Sequence, residues 1–367
     1  MTTMAQRSRT NFSRSTPRRA VVVGAGPFGT AVALLLVRAG VRTTLQARTA
    51  TQASELQRDG ENRAYLPGVA LAPELRIETS SDSLERAELV LLAVPSSGIA
   101  SVIAGLGDRG LGATTPIVSL AKGLVAPTGA VTSAISGALY GPERVAVIGG
   151  PAHADELVHD GGALVAASSD EALAGMLAHL FTRGGVICEI SNDPLGVEYA
   201  GAAKNAAALA SGATEAQGLN AAGAAAGHIF QEIWRLAESQ GARPESMIGL
   251  AGTGDLVATA LAPGSRNRRA GELLGSGVPA AAIPAQIGQA VEALESVPML
   301  AKALADAGVD APVTSGLSAL IAGQLSVDGW VSLVRASVTP PALWRRRVRP
   351  GFWARLRARL RGSTASD

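Results

Sequence analysis

The most constraining feature of this chain lies near its N-terminus, where a short apolar strand runs directly into a glycine-rich turn and a helix. Residues 20–23 read Ala-Val-Val-Val, a G-x-G-x-x-G turn follows, and residues 30–39 have helical spacing. This order is typical of a dinucleotide-binding unit. Gly24 allows the tight turn, Gly26 lets a pyrophosphate approach the main chain, and Gly29 lets helix and strand pack closely. The pattern therefore predicts NAD or NADP binding rather than an ordinary turn.

The end of the next predicted strand bears on which nicotinamide cofactor is used. That strand is Thr43-Thr-Leu-Gln and it ends at Ala47-Arg48. An NAD-selective site usually places an acidic residue here for the ribose diol. Arg48 is instead either a solvated surface residue or a contact for the 2′-phosphate of NADP, and both interpretations stay open. We expect NADPH to be used at least as well as NADH.

Short β-branched runs recur between helical segments up to about residue 190. They lie near Leu75–Ile77, Leu89–Val94, Ile117–Leu120, Val145–Ile148, Leu164–Ala167 and Val186–Ile190. Strands that alternate with helices predict a doubly wound, mainly parallel sheet of the Rossmann type. The segment Asn62-Arg-Ala-Tyr-Leu-Pro-Gly reads as a turn-rich loop. From Asp193 the chain changes to long Ala- and Gly-rich helices, which predicts an all-helical C-terminal domain.

Composition and charge indicate the outer boundaries of the predicted domains. We predict a disordered basic leader over residues 1–18, a dinucleotide-binding domain over 19–191, a helical substrate and catalytic domain over 192–338, and a basic tail over 339–367. Between its basic ends the chain is acidic, which argues against a sequence-specific nucleic-acid partner. Cys188 is the only cysteine. We therefore expect no intrachain disulfide and a reducing, cytoplasmic location. We also expect no transmembrane helix, because no apolar run of about 18 residues lacks a charge.

Two segments of the predicted helical domain place polar residues among small apolar ones. Lys204 lies in an alanine-rich helix with no acidic residue within one turn, so a partner for its ammonium must come from elsewhere in the fold. In a dry cleft its pKa would fall towards neutrality, as a proton donor to an alkoxide requires. The alternative is a lysine that reaches solvent along its stem. Asp255 and Thr259 are four residues apart and would share one helix face.

A second signal is a helix start rich in arginine. Ser265 is placed to N-cap a helix from Arg266 to Leu274, whose first turn also carries Arg268 and Arg269. Cations at this end oppose the helix dipole, and a bound anion would compensate for them. The alternative is a solvated face. No Cys, His, Asp and Glu residues have zinc-ligand spacing, so we expect no metal.

Together these motifs resemble the bacterial-type NAD(P)-dependent glycerol-3-phosphate dehydrogenases, over about residues 19–325. The resemblance rests on several motifs in the expected order, which are Gly24-Ala-Gly-Pro-Phe-Gly-Thr-Ala, Tyr65-Leu-Pro-Gly, Val94-Pro-Ser, Ala121-Lys-Gly-Leu, Gly150-Pro-Ala-His-Ala-Asp-Glu, Gly196-Val-Glu through Lys204-Asn205, Gly252-Thr-Gly-Asp-Leu and Ser265-Arg-Asn-Arg. A set of motifs in one order is far more specific than a single G-x-G-x-x-G turn.

The resemblance implies reversible reduction of dihydroxyacetone phosphate to sn-glycerol 3-phosphate for phospholipid synthesis, in a homo-oligomer. It implies catalytic roles for Lys204, Asp255 and Lys122. The implied substrate contacts are Lys122, Asn205, Thr259, Arg266 and Asn267. The implied cofactor contacts are Gly24, Gly26, Pro27, Phe28, Gly29, Arg48, Lys122, Ala154, Arg266 and Glu292. From the residues alone, Lys122 is equally well explained as an ordinary lysine after a strand.

The chain also departs from the family pattern near the expected site. The departures are Ala100, Ala152, His153, Leu219-Asn220-Ala-Ala, His228 and Ala293. They keep two alternatives open: a related NAD(P)H reductase of another small oxo-acid, and a non-catalytic nucleotide-binding paralogue. The retained Lys204, Asp255 and Arg266 favour a working enzyme.

The C-terminal tail lies beyond the resemblance. Residues 345–361 carry eight arginines, and Trp353, Leu356 and Leu360 would share one side of a helix. An apolar stripe flanked by arginines is typical of interfacial membrane helices. The alternative is a disordered solubilising tail, since Pro350-Gly351 interrupts any long helix. We expect weak, salt-reversible contact with anionic membranes.

Overall fold

The N-terminal half is built on an eight-stranded sheet. The computed structural model describes residues 14–126, 128–262 and 264–337. The strands, of which β3 and β4 form a separate two-stranded ribbon, are β1 (Arg19–Val23), β2 (Arg42–Ala47), β3 (Glu61–Asn62), β4 (Leu66–Ala70), β5 (Arg76–Thr79), β6 (Leu89–Leu92), β7 (Ile117–Ser119), β8 (Val145–Gly149), β9 (Ala163–Ser168) and β10 (Ile187–Ser191). The helices between them are α1 (Pro27–Arg38), α2 (Ala50–Asp59), α3 (Ser96–Ala104), α4 (Thr132–Tyr140), α5 (Ala154–His159) and α6 (Glu171–Arg183).

The sheet has the order β10-β9-β8-β7-β6-β1-β2-β5. Its strands are parallel except at the β8–β9 junction, where β9 reverses direction and β10 then runs parallel to β9. The prediction of a mainly parallel, doubly wound sheet is confirmed. The strand order reverses between β1 and β6, and this is the point at which open α/β sheets bind ligands beyond the strand ends.

Two local features differ from the sequence predictions. The segment predicted as a turn-rich loop contains a short antiparallel ribbon, β3–β4, because its turn is tight enough to let Asn62 pair with Leu66. Residues 14–18 of the predicted disordered leader are placed against the body of the protein. Arg14 donates to Asp170 Oδ2 at 2.7 Å, and the main-chain N–H of Arg18 donates to Glu88 Oε2 at 2.7 Å. Residues 1–13 lie outside the described residues.

The C-terminal half is helical, as predicted. Its helices are α7 (Pro194–Thr214), α8 (Leu219–Ser239), α9 (Pro244–Ile248), α10 (Asp255–Leu261), α11 (Arg266–Gly275), α12 (Ile283–Ile287), α13 (Glu292–Asp306), α14 (Pro312–Ile321) and α15 (Val327–Ala336). The predicted boundary at 191/192 falls between β10 and α7. Both halves belong to one compact unit that ends at Ala336, so the division into domains stays a prediction. No helix among the described residues could cross a bilayer.

Helix α7 is the centre of the helical half. It is buried along almost its whole length, and its alanines form much of the core shared with α8, α11 and α13. Its crossing with α11 leaves no space for side chains. A Cβ built on Gly212 would lie 2.1 Å from the carbonyl oxygen of Arg268, and one on Gly271 would lie 2.1 Å from that of Leu209. The two main chains are therefore in direct contact.

This crossing predicts the effect of adding one methyl group. Gly212→Ala forces α7 and α11 apart and should lower the free energy of unfolding by about 3 kcal/mol. Gly223→Ala in α8 is the matched control, because nothing lies within 4 Å of a Cβ built there. The control should stabilise the helix by about 0.5–1 kcal/mol. Urea unfolding measures both, and equal values for the two variants would contradict the close crossing.

Candidate active site

The glycine turn after β1 leaves one side of its main chain open. Gly24 has φ +113°, and a Cβ built on it would lie 2.5 Å from the carbonyl oxygen of Ala93, at the end of β6. A Cβ on Gly29 would lie 2.0 Å from the carbonyl oxygen of Gly24, so α1 packs tightly against the turn. A Cβ on Gly26 would meet nothing within 4 Å. The three glycines thus fit a turn that lets a pyrophosphate approach the N-terminus of α1.

A buried asparagine that the sequence did not single out supports this turn. Asn62 Nδ2 donates to the carbonyl oxygen of Ala25 at 3.1 Å and to Thr30 Oγ1 at 2.7 Å. Gln52 Nε2 donates to the same carbonyl oxygen at 3.1 Å. These contacts fix the turn from the side of α2 and the β3–β4 ribbon. The only signal in the sequence was a polar residue at the start of a segment interpreted as a loop.

The other predicted cofactor contacts surround the turn at different depths. Arg48 is exposed at the end of β2, and it forms no ion pair with any residue that the structure describes. Ala154 begins α5 and is partly buried against the core of the N-terminal half. The ring of Phe28 lies 5.8 Å from Lys122 Nζ. Phe28 therefore connects the glycine turn, which also includes Pro27, to the predicted catalytic residues.

Two lysines from different halves share one buried carboxylate. Lys122 Nζ donates to Asp255 Oδ2 at 2.6 Å and to the carbonyl oxygen of Gly150 at 2.9 Å. Lys204 Nζ lies 3.4 Å from Asp255 Oδ1 and donates to Thr259 Oγ1 at 3.1 Å. The side chain of Asp255 is 2% exposed and that of Lys204 is 11% exposed. Asp255 and Thr259 are thus the partners that Lys204 lacks within its own helix.

Burial and the neighbouring charges shift the pKa values of this group. Burial lowers the pKa of Lys204; Asp255 opposes this effect, and the charge of Lys122 adds to it. For Asp255, burial is the largest single influence and acts to raise the pKa, but Lys122 and Lys204 together hold it below its usual value. Asp255 thus stays ionised, while Lys204 releases a proton more readily than an exposed lysine.

An irregular turn presents Asp255 to the lysines. Residues Leu250–Gly254 form one π-helical turn, and α10 begins directly after it. A Cβ built on Gly252 would lie 2.0 Å from the carbonyl oxygen of Met247, so only glycine fits inside this turn. Asp255 and Thr259 face inward from the same side of α10, as their spacing predicted.

The remaining predicted substrate residues form a network between α7, α11 and α13. Asn205 Nδ2 donates to the carbonyl oxygen of Lys122 at 2.9 Å and to Glu292 Oε2 at 3.0 Å. Asn267 Nδ2 donates to Asn205 Oδ1 at 2.9 Å, and Asn267 Oδ1 accepts from the N–H of Ala293 at 3.2 Å. Glu292 is thereby held close to the loop that carries Lys122.

Arg266 lies at the open edge of this network. Ser265 caps α11 as predicted, since its Oγ accepts from the N–H of Arg268 at 3.3 Å. Arg266 is exposed and its Nη1 donates to the carbonyl oxygen of Ala290 at 3.1 Å. Arg268 instead pairs with Glu215 at 2.8 Å, which compensates part of the charge at this helix end.

Comparisons with known proteins cover both halves of the chain. The family model described as NAD-dependent glycerol-3-phosphate dehydrogenase N-terminus matches residues 19–174, and its C-terminal counterpart matches residues 193–332. The chain belongs to this family. A relative named Glycerol-3-phosphate dehydrogenase [NAD(P)+] from Mesorhizobium japonicum is 36% identical over 329 residues, which is 88% of this chain and 92% of the relative. One of the same name from Deinococcus radiodurans is 38% identical over 309 residues, or 83% and 91% of the two chains.

The solved structures agree with this placement. A glycerol-3-phosphate dehydrogenase from Coxiella burnetii has a TM-score of 0.82 and 29% identity, and the match covers 88% of this chain and all of that one. A ketopantoate reductase from Ralstonia eutropha has a TM-score of 0.58 at 18% identity, which shows a common fold alone. The chain is therefore an NAD(P)-dependent oxidoreductase of the glycerol-3-phosphate dehydrogenase family.

Three departures from the family pattern fill apolar positions. Ala100 on α3 packs against one core cluster and Ala152 against another, while Ala222 is buried in α8. In the contacts described above, every partner of Lys204 and Asp255 lies at another position. The structure gives no chemical role to the three alanines. Among the residues that the structure describes, no cluster of three or more His, Cys, Asp or Glu side chains is arranged to hold a metal ion.

His153 is another departure from the family pattern. Its Nε2 is buried and has no hydrogen-bond partner among the described residues. Burial lowers its pKa, and the charges of Lys204 and Lys122 add to this effect against Glu156 and Asp255. In this dehydrogenase, His153 therefore adds no positive charge beside the two lysines near neutral pH.

Glu198 was not predicted and links the two halves. From α7, its Oε1 accepts from the N–H of Ser133 at 3.0 Å and its Oε2 forms a short hydrogen bond with the Ser133 hydroxyl, at the start of α4. Burial raises the pKa of Glu198 from 4.5 to about 7, although the groups of Ser133 and Thr132 act in the opposite direction. The signals in the sequence were its place in the Gly196-Val-Glu motif and an acidic residue inside an alanine-rich helix.

The raised pKa of Glu198 predicts a pH dependence of stability. Burial in the folded protein favours the protonated form of Glu198. The stability that this preference contributes is complete below pH 4.5 and is lost as the pH rises through about 7. Glu198→Gln keeps an oxygen that accepts from Ser133 but does not titrate. Relative to that of wild type, the free energy of unfolding of the variant should rise by about 1–3 kcal/mol between pH 5 and 8. Urea unfolding at several pH values measures this, and a constant difference would refute the shift.

Proposed function

We propose that this protein reduces dihydroxyacetone phosphate to sn-glycerol 3-phosphate with NAD(P)H, the direction that supplies phospholipid synthesis. The observation that supports this most strongly is the buried Lys204 ammonium, held between Asp255 at 3.4 Å and Thr259 at 3.1 Å. A lysine with a lowered pKa in such surroundings suits proton donation to a newly formed alkoxide. Membership of the dehydrogenase family supports the choice of substrate.

In this proposal Lys204 gives its proton to the carbonyl oxygen of the substrate as that oxygen gains negative charge. Asp255 remains ionised. One oxygen of its carboxylate holds the ammonium group of Lys204, and the other oxygen holds that of Lys122. Lys122 places a second positive charge near the same oxygen, and Thr259 orients Lys204 by accepting one of its hydrogens. Product release leaves Lys204 neutral, and it regains a proton from solvent.

The cofactor would lie along the open side of the glycine turn. When bound, its nicotinamide group supplies the hydride that reduces the carbonyl carbon. Gly24, Gly26 and Gly29 leave room for the pyrophosphate at the start of α1. The other proposed cofactor contacts are Pro27, Phe28, Arg48, Lys122, Ala154, Arg266 and Glu292.

The substrate phosphate is proposed to lie at the N-terminus of α11, against the guanidinium of Arg266. That side chain is exposed, and its forked N–H groups can bind two phosphate oxygens at once. The adjacent helix end adds main-chain N–H groups and a favourable dipole. Asn205 and Asn267 lie close by, but their amides face protein groups.

The decisive experiment follows oxidation of NADH and NADPH by the purified protein with dihydroxyacetone phosphate. We expect oxidation that depends on the substrate and yields sn-glycerol 3-phosphate by product analysis. Ketopantoate and other small oxo-acids serve as comparison substrates. Turnover of an oxo-acid alone would identify a different reductase, and no turnover with any of them would indicate a non-catalytic paralogue.

The role of Lys204 predicts a large loss of turnover on truncation. Lys204→Ala should lower kcat by roughly two to four decades, the usual scale for loss of a general acid, while cofactor affinity stays near that of wild type. The matched control is Lys302→Ala, because Lys302 is 72% exposed and pairs only with Asp306 in the contacts described. Near-normal turnover of Lys204→Ala would reject its assignment as the proton donor.

The position of Arg48 predicts cofactor choice. NADPH should serve at least as well as NADH, and Arg48→Ala should raise the Michaelis constant for NADPH about tenfold by removing a partner of the 2′-phosphate. The constant for NADH should stay almost unchanged. Arg86→Ala, at another exposed arginine, is the control. A strong NADH preference that Arg48→Ala does not alter would make Arg48 an ordinary surface residue.

We also propose that the protein works in the cytoplasm as a homo-oligomer, which analytical ultracentrifugation can test.

The tail of the chain, residues 344–361, lies outside the described residues, and we propose weak docking of this segment to anionic membranes. Each basic residue near such a surface contributes about 1 kcal/mol, so binding should be sensitive to salt. Full-length protein should sediment with anionic vesicles at low salt, while a chain ending at residue 343 should not. Equal binding by both chains would reject the role of the tail.

A further inference from the structure

Residues 149–153, which end β8 and lead into α5, form one wall of the site, here called the β8–α5 wall. The carbonyl oxygen of Gly150 accepts from Lys122 Nζ at 2.9 Å. A Cβ built on Gly149 would lie 2.6 Å from Cγ1 of Val197 on α7 and 3.5 Å from a side chain of the π-helical turn before α10. The wall therefore contacts each of the elements that carry the two lysines and their shared carboxylate.

His153 is the only residue of the β8–α5 wall with a polar side chain. Ala152 beside it packs against the core of the N-terminal half. His153 stands at the N-cap position of α5, but its side chain forms no capping hydrogen bond. Its Nε2 is enclosed and has no hydrogen-bond partner among the described residues. Hydrogen bonding within the fold thus gives no reason for an imidazole at this position.

The surroundings of the His153 ring determine its charge and its tautomer. Burial lowers its pKa, and the charges of Lys204 and Lys122 act in the same direction. The neutral ring has one N–H donor and one nitrogen acceptor. An enclosed N–H without a partner is rarer than an enclosed acceptor without one. We therefore assign the hydrogen to Nδ1, which is not enclosed in this way.

The β8–α5 wall and the start of α11 lie on opposite sides of Lys204 along α7. Val197, which contacts the wall, precedes Lys204 by seven residues, and this separation is about 10 Å along a helix axis. Asn205 directly follows Lys204 and is hydrogen-bonded to α11. A ligand that extends from the start of α11 past Lys204 therefore points its far end towards the wall.

We propose that His153 is a specificity-determining residue, which donates a hydrogen bond from Nδ1 to the hydroxyl oxygen of dihydroxyacetone phosphate. This inference rests on the reductase function proposed above. The carbonyl group is the central carbon of that substrate, between the phosphate-bearing carbon and the hydroxymethyl group. With the phosphate at α11 and the carbonyl oxygen at Lys204, the hydroxymethyl group is the end that faces His153.

The absence of charge on the ring suits a hydroxyl group. A neutral N–H donates to a hydroxyl oxygen without adding a third positive charge beside Lys204 and Lys122. An apolar side chain in place of His153 would leave the substrate hydroxyl without this partner in a site that the ligand has closed to water. The contact would then favour a hydroxymethyl group over a methyl group at this end of the substrate.

Two substrates that differ only in this hydroxyl test the proposal. Hydroxyacetone phosphate has a methyl group where dihydroxyacetone phosphate has the hydroxymethyl group. We would measure kcat and KM with both for wild type, His153→Leu and His153→Asn. For His153→Leu, kcat/KM with dihydroxyacetone phosphate should fall about tenfold, the scale of one hydrogen bond. The change should be mainly in KM, because the hydroxyl does not react. With hydroxyacetone phosphate, kcat/KM should stay unchanged.

The conservative variant separates the hydrogen bond from the shape of the ring. His153→Asn keeps an N–H donor close to the position of Nδ1 and should restore most of the preference for dihydroxyacetone phosphate. The matched control is His159→Leu on the same helix, because His159 is 53% exposed and pairs with Asp155. His153→Ala replaces His153→Leu if the latter fails to fold.

Each outcome of this comparison decides the proposal. If hydroxyacetone phosphate turns over too slowly, its constant for competitive inhibition is measured instead, and it should be the same in wild type and His153→Leu. An equal loss with both substrates would assign His153 to the structure of the wall and overturn the proposal, as would no loss with either. A wild type that does not reduce dihydroxyacetone phosphate would reject the proposed function itself. An active wild type whose preference is unchanged in His153→Leu would reject this inference alone.

Discussion

The burial of α7 is the constraint on which the rest of the structure depends. A helix surrounded by protein on every side has no solvent to satisfy its polar side chains, so each of them needs a partner on another element. Glu198 finds Ser133, Lys204 finds Asp255 and Thr259, and Asn205 finds Lys122 and Glu292. The polar residues of one helix therefore define the positions of α4, α10, α13 and the loop after β7.

The same requirement recurs at the ends of other helices. Asp193 caps α7 and also accepts from the N–H of Arg243 and the hydroxyl of Ser246, next to α9. Glu232 on α8 accepts from the N–H groups of Val313 and Thr314 at the start of α14. Glu232 thus caps α14 from a different helix, and Asp193 connects α7 to α9, so buried carboxylates link elements that are distant in the chain. Such contacts stabilise the helical half by specific pairs as well as by apolar burial.

The features of the fold that could be predicted from the sequence are those that depend on a local pattern of residues. Strand–turn–helix order, the helix cap at Ser265 and the change to helices after Asp193 follow from spacing and composition over a few residues. The β3–β4 ribbon was missed because its strands are too short to show a period. The partners of Lys204 could not be predicted from composition because Thr259 lies 55 residues further along the chain. Motif matching assigned Asn267 to the substrate site but gave no direction for its amide.

The close crossing of α7 and α11 also limits how this molecule can move. Where glycines bring two main chains into contact, no side chain can change rotamer to absorb a displacement. Sliding one helix past the other would drive carbonyl oxygens into the opposing backbone, so the pair behaves as one rigid body. Any adjustment that accompanies ligand binding must then arise outside this pair of helices. The rigid pair serves as the fixed frame for those motions.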